Sequence, residues 1–261
     1  MASVALLFGL SLSVNLAGWA VSSALVTDHF YDLTGAVTHI LVALASLFYA
    51  PAPGLRQVAG TVLIVVWATR LGAFLFARIS ASGGDKRLAK YKTRPLIFLI
   101  PWTIQSIWIL LNCLPIALAN AASSGGPAFG LLDVVAIAAW LAGFTVQVVA
   151  DEEKRLFSAN PSNAGRWIST GTWAVSRHPN YVGEILMGWA LAALAWSSLD
   201  GWAALGALAP VFETWLLLRV SGVPLLEKAA EKKWGADPEY RRYVAATPVL
   251  VPLPRWLSGS V

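Results

Sequence analysis

Charged side chains are scarce in this sequence. Only 13% of its 261 residues are Asp, Glu, Lys or Arg, about half of the roughly 25% carried by a soluble domain. With 57% hydrophobic residues and 13 Trp, the composition excludes an ordinary soluble globule and reads as a polytopic membrane protein. The single cysteine, Cys113, excludes an intramolecular disulfide and a cysteine-based metal site. It lies in an apolar run and reads as a small buried hydrophobe. The 3 His residues are too scattered to form a metal-ligand set. No Gly-rich phosphate fingerprint of the Rossmann or P-loop type occurs, and no Ser-His-Asp signature. Any nucleotide must therefore be held by side chains on loops and helix ends. No basic residue precedes the first apolar run, so the N-terminus lacks the charged n-region of a signal peptide and is expected to remain as the first transmembrane helix.

What is present is a series of long apolar runs. A transmembrane helix needs roughly 20 mostly apolar residues. Seven stretches meet or approach this length: 3–26, 33–52, 57–78, 95–120, 128–150, 182–199 and 201–224. The expected fold is all-α, with about seven transmembrane helices in one integral membrane domain (1–261) and a C-terminal tail (225–261). The connections at 51–56, 121–127 and around Asp200 are rich in Pro, Gly or Ser and read as short turns. There is no internal repeat and no linker long enough to separate two domains. Basic residues concentrate in 78–94 (Arg78, Lys86, Arg87, Lys90, Lys92, Arg94), in 151–181 (Lys154, Arg155, Arg166, Arg177) and in the tail (Lys228, Lys232, Lys233, Arg241, Arg242, Arg255). Seven spans place all three groups on one side and leave only Arg56 on the other. By the positive-inside rule the basic side is cytoplasmic, the N-terminus outside and the C-terminus inside. The same residues suit anionic lipid headgroups, so membrane lipids are expected partners. They hug membrane ends and carry no nucleic-acid motif, so no nucleic-acid partner is expected.

Ionisable groups inside spans are costly and default to a functional hypothesis. Arg70, Asp133, Glu184, Glu213 and Arg219 qualify, with His39, Gln105 and Asn112 on a softer standard. Arg70 and Arg219 read equally as structural cations paired between helices. Asp133 lies near the outer end of its span, within reach of the interface. Gln105 and Asn112 read equally as interhelical hydrogen-bonding groups.

Glu184 stands apart. The stretch Arg177-His178-Pro179-Asn180-Tyr181-Val182-Gly183-Glu184 opens an apolar segment. Pro179 suits the first turn of a helix, and Asn180, Tyr181 and Glu184 then share one face. Arg177 and His178 fall at the helix entrance, where backbone N–H groups lack partners. A helix cap with interfacial anchors is the plain alternative, but five polar groups exceed what a cap requires. The preceding segment, about thirty residues between spans, is longer than the roughly 12–15 residues of an ordinary loop. Its Asp151-Glu152-Glu153-Lys154-Arg155 run reads in part as a solvated helix extension with i,i+3 and i,i+4 pairs; Asp151 and Arg155 stand four apart on one face. The tail reads as a short amphipathic helix with Glu227, a turn at Gly235 to Pro238, a second short helix with Tyr240, and an extended end.

The motif at 177–184, Glu227 and the Pro238-Glu239-Tyr240-Arg241-Arg242-Tyr243 block resemble those of membrane enzymes of the steroid 5-alpha-reductase clan. The segment Asp28 to Gly35 and Trp67-Ala68-Thr69-Arg70-Leu71-Gly72 look like its bacterial branch. The similarity runs through most of the chain, its specific motifs lying mainly in 151–252. It implies a bacterial inner-membrane protein that binds NADPH from the cytoplasmic side and reduces a carbon–carbon double bond conjugated to a carbonyl, in a lipophilic substrate drawn from the bilayer. It further implies that Asn180 and Glu184 hold the cofactor, with Asp151 upstream and Arg166 before the motif, and that Arg155, Arg177 and His178 are phosphate or ribose contacts. Tyr181, Glu227 and Tyr240 complete that expected cofactor site. The reductases polarise the carbonyl with a Glu preceded by Gln and with a Tyr. This chain has no such Gln-Glu pair, and Trp67 stands roughly where the Tyr would be. Tyr31, Asp32 and His39 are the expected groups for that role, Asp32 as a protonated acid.

Isoprenylcysteine carboxyl and phospholipid methyltransferases of the same clan carry a similar Arg-His-Pro-x-Tyr-x-Gly motif and bind S-adenosylmethionine there. Asn180, the long polar stretch 151–167 and the number of cations favour the more anionic NADPH. A non-enzymatic lipid-binding protein is a third reading, which leaves Glu184 and the clustered Arg residues without a purpose.

Overall fold

In a computed structural model of the chain, residues 4–85, 87–122 and 126–251 are described. Lys86, Pro252 and Arg255, and part of the 121–127 connection, lie outside them. Among the described residues the secondary structure is helical throughout: α1 Val4–Ala24, α2 Tyr31–Phe48, α3 Leu55–Ser82, α4 Pro95–Ala121, α5 Leu131–Ala159, α6 Pro179–Trp196, α7 Ala209–Arg219, α8 Val223–Trp234 and α9 Pro238–Ala246, with 3-10 turns at Pro161–Asn163, Gly171–Ala174 and Gly201–Leu208.

The helix limits follow local chemistry. Proline occupies the first turn of α4, α6, α8 and α9, where its missing N–H costs nothing. The Asp237 side chain accepts from the backbone N–H of Glu239 and Tyr240 and so caps α9. Two helices run further than their apolar stretches: α3 continues to Ser82 and α5 to Ala159, because polar side chains can follow a helix into water. Among the described residues, six helical stretches are long and apolar enough to cross a membrane: Val4–Ala24, Tyr31–Phe48, Leu55–Ser82, Pro95–Ala121, Leu131–Ala159 and Gly201–Trp234. These are the helices of an integral membrane protein. Helix α6 covers the sixth expected span but is not among them; Asn180, Gly183 and Glu184 dilute its apolar run of 18 residues.

The chain folds as two units. The first comprises Met1–Asp133 with Leu191–Ala209, in which α1 and α3 both pack on α2, and α1 and α2 on α4. Phe98, Trp102 and Leu88 form a buried cluster against Trp19, Tyr31 and Tyr91; Tyr31 and Phe98 each meet Trp102 edge-on. Cys113 is buried and free. At one end Arg56 and Asp133 form a buried, two-pronged ion pair, Nε to Oδ1 at 2.6 Å and Nη2 to Oδ2 at 2.8 Å. The second unit comprises Val134–Ala190 with Pro210–Val261. There α5 and α6 cross at Gly143 and Gly183; a Cβ on Gly183 would strike the Gly143 carbonyl and the Gln147 backbone. Such contact between backbones is what small residues permit in membrane helix pairs. Ala150, Ile168 and Trp173 form the unit's buried cluster with Phe157, and the Trp173 indole N–H donates to Ala150 O at 3.0 Å.

A candidate nucleotide site at the entrance of helix α6

The polar corner expected at the start of α6 is assembled within the second unit. Helix α6 begins at Pro179, so Asn180 and Glu184 stand one turn apart on one face. The Ser176 hydroxyl accepts from the His178 N–H, and Tyr181 N donates to His178 O at 3.0 Å. The loop before the motif is fixed from α5: the Glu153 carboxylate accepts from the backbone N–H and the hydroxyl of Thr172 at 2.9 and 2.6 Å.

The tail folds back onto this loop and on the motif. Glu227 of α8 accepts from His178 Nε2 at 2.7 Å and pairs with Arg177 Nη1 at 2.9 Å. The His178 ring stacks on Tyr181, with centroids 5.6 Å apart. Arg177 N donates to Pro248 O at 2.9 Å, and the Tyr243 hydroxyl to Trp173 O at 2.8 Å. Trp167, Trp234 and Tyr240 pack ring against ring. Burial, with the charge of Glu227, raises the Tyr240 hydroxyl above its ordinary range; burial pushes Tyr243 up to about 12. Both stay neutral phenols at physiological pH.

The expected cofactor residues fall into two groups. Arg177, His178 and Glu227 bind one another, Tyr240 is buried among aromatics, and Arg155 pairs with Glu152 at 2.5 Å rather than with Asp151, which is buried. These residues shape the corner. Some binding capacity remains, at atoms without a partner among the described residues. Arg177 Nε is buried with no partner. The Asn180 amide bonds no described residue, and Arg166 is exposed and makes no ion pair among the described residues. The open N–H of Arg177, the exposed Arg166 and the Asn180 amide fit an anionic ligand with polar appendages, as a phosphorylated dinucleotide is.

Glu184 accepts from the Gln147 amide of α5. Gln147 went unnoticed in the sequence because a neutral amide within an apolar run carries no charge signal. Glu213 of α7 was noted there only as an intramembrane acid; it packs against Gly188 of α6.

Tyr31, Asp32 and His39 belong to the first unit. The Tyr31 hydroxyl donates to Pro101 O at 3.0 Å. Asp32 accepts from Arg87 Nη2 at 3.1 Å with both oxygens and lies 3.8 Å from Arg78. Two guanidinium groups thus face Asp32. His39 Nδ1 bonds the Gly35 carbonyl at 2.8 Å, which assigns the proton to Nδ1. Its Nε2 is buried without a partner, beside the Trp67 ring, and presents a lone pair.

No curated protein and no solved structure matches the chain. A family described as "Protein of unknown function (DUF1295)" matches residues 18–247, a stretch that includes the α6 entrance and the tail helices. The chain belongs to that family.

Proposed function

We propose that the protein is an NADPH-dependent membrane reductase of a conjugated carbon–carbon double bond in a lipophilic substrate. The observation that carries this reading is the α6 entrance: Asn180 and Glu184 on one face, directly after Arg177, whose Nε is buried and has no partner among the described residues. NADPH, when bound, supplies a hydride. Arg166 and Arg177 meet its phosphates, and Asn180 and Glu184 orient it. Glu227 holds Arg177 and His178 in place and so acts on the ligand through them. The methyltransferase reading makes a different demand. A sulfonium is cationic and seeks an acid free of cationic partners, whereas Glu227 is already bonded by Arg177 and His178.

In this reading α6 is a seventh span, the N-terminus is outside, and the tail faces the cytoplasm of a bacterial inner membrane. The distribution of basic residues supports it. Arg56, the one basic residue expected on the outer side, is buried and bound to Asp133, so no exposed cation competes with the cytoplasmic surplus.

Thermal unfolding of the detergent-purified protein with NADPH, NADH and S-adenosylmethionine tests the reading. A ligand of the native state raises the midpoint by mass action. NADPH is expected to raise Tm, and NADH to raise it less because it lacks the 2′-phosphate. Asn180→Ala is expected to abolish the NADPH shift while leaving Tm without ligand unchanged. A shift with S-adenosylmethionine alone, or an undiminished NADPH shift in Asn180→Ala, overturns it.

A further inference from the structure

The reduction needs a proton as well as a hydride, and the three groups expected to donate it, all in the first unit, are unsuited to it. The Tyr31 hydroxyl is engaged, Asp32 faces two arginines, and His39 presents a lone pair. The second unit has a better one. Glu213 lies in α7 with a side chain only 6% exposed. Its carboxyl sits against Gly188 of α6: a Cβ there would lie 2.8 Å from Glu213 Oε2. Gly188 is four residues beyond Glu184 on the same face of α6, so the Glu213 carboxyl packs against the turn of α6 that follows Glu184. Gln147 of α5, 4% exposed, donates to Glu184 and leaves its own Oε1 buried and unpartnered.

Glu213 faces Gly188 of α6 and feels the charge of Glu184; among the described residues no cation bonds it. Two carboxylates this close in an apolar setting cannot both ionise cheaply. Gln147 donates to Glu184, which leaves Glu213 as the acid without a donor among the described residues.

We propose that Glu213 is an un-ionised carboxylic acid at neutral pH and the proton source of the reduction, with Glu184 its charged partner. The role in reduction rests on the reductase reading; the stored proton does not. The hydride, supplied by the dinucleotide as it is oxidised, adds to one carbon of the double bond. The Glu213 O–H bond breaks, its proton goes to the other carbon, and the electron pair stays on the carboxylate, which water later reprotonates.

Infrared difference spectroscopy of the full-length detergent-purified protein tests the proposal, alongside the NADPH thermal shift in each variant. The wild type at neutral pH is expected to show the carbonyl stretch of a protonated carboxyl group. The band should vanish in Glu213→Gln, move in Glu213→Asp and persist in Glu184→Gln, where the lone buried acid keeps its proton. Glu213→Gln should retain the NADPH shift. Wild-type and Glu213→Gln spectra that superimpose in the carboxyl region overturn the proposal. Should Glu213→Gln not fold, an unmoved band in Glu213→Asp overturns it equally. A band that behaves as expected with no NADPH shift in the wild type removes the reductase reading, and the catalytic role with it, but leaves the stored proton.

Discussion

Each unit buries acids among apolar helices, and they treat them differently. In the first, Asp133 is met by Arg56 through two nitrogens and by the Gly130 N–H at 2.7 Å. Arg56 also donates to Pro127 O at 3.0 Å and to the Ser198 hydroxyl at 3.3 Å. Charge and hydrogen-bonding capacity are both matched. In the second, the neutral Gln147 amide donates to Glu184 and keeps a buried oxygen without a partner among the described residues, and the buried Glu213 packs against Gly188 with no cation bonded to it among those residues. A buried charge with all its partners serves the fold. A buried acid without a counter-charge persists at a cost that structure alone does not require, which is the physical ground for reading it as functional.

Removing the counter-charge from the first cluster should be the largest effect. Asp133→Ala leaves the Arg56 guanidinium buried and uncompensated, expected to cost about 3–5 kcal/mol. The measurement is the thermal midpoint in detergent. Replacing both partners with apolar residues (Arg56→Met with Asp133→Leu) should restore much of the loss, because it removes the desolvation penalty together with the attraction. A single variant as stable as the wild type would erase the contrast between the clusters.

The Arg177–His178–Glu227 clamp lies between these extremes, with two donors on one partly exposed acid. Glu227→Gln removes the charge and keeps one acceptor. The expected loss is about 1–2 kcal/mol, the scale of hydrogen bonds to a charged group. Because Glu227 also fixes Arg177, the NADPH shift should weaken with it. A lower Tm with an undiminished shift would make the clamp purely structural and leave the ligand to Arg166 and Asn180.

The sequence shows most of this fold because long apolar runs are strong local signals. The entrance of α6 is legible for a similar reason: Pro179 marks the first turn, and the four-residue step from Asn180 to Glu184 sets the shared face. The first three parts expected in the tail, helix, turn and helix, correspond to α8, the turn and α9. What escapes is the choice among partners distant in sequence. Glu227 lies 49 residues from His178, and nothing local selects it. Arg155 had Glu152 and Asp151 within reach on one helix; it takes Glu152, and Asp151 is buried. Gln147 becomes visible once the Gly143–Gly183 crossing brings α5 against α6. Hydropathy also misplaces the ends of α3 and α5, since a helix does not stop where its apolar stretch does.

The ion pairs around Arg87 give the smallest expected effect and a control for the buried clusters, since they are formed near water. Asp85 accepts from the Arg87 backbone N–H at 2.8 Å and from Nε at 2.8 Å. Burial would raise the Asp85 carboxyl, but the hydrogen bonds and charge of Arg87 outweigh it and hold the group below its ordinary range. The folded state therefore binds this proton less readily than the unfolded chain. The resulting stabilisation is complete above the ordinary carboxylate range, near pH 4, and is lost as pH falls through the lower folded value. Arg87 is 62% exposed, so solvent screening limits the contribution to about 0.5 kcal/mol. Wild type should exceed Asp85→Asn in Tm slightly at pH 7, less in high salt, and not at all well below pH 4. A difference that grew on acidification would mean that Asp85 is destabilising as a carboxylate, and that partial exposure does not separate this cluster from the buried acids of the second unit.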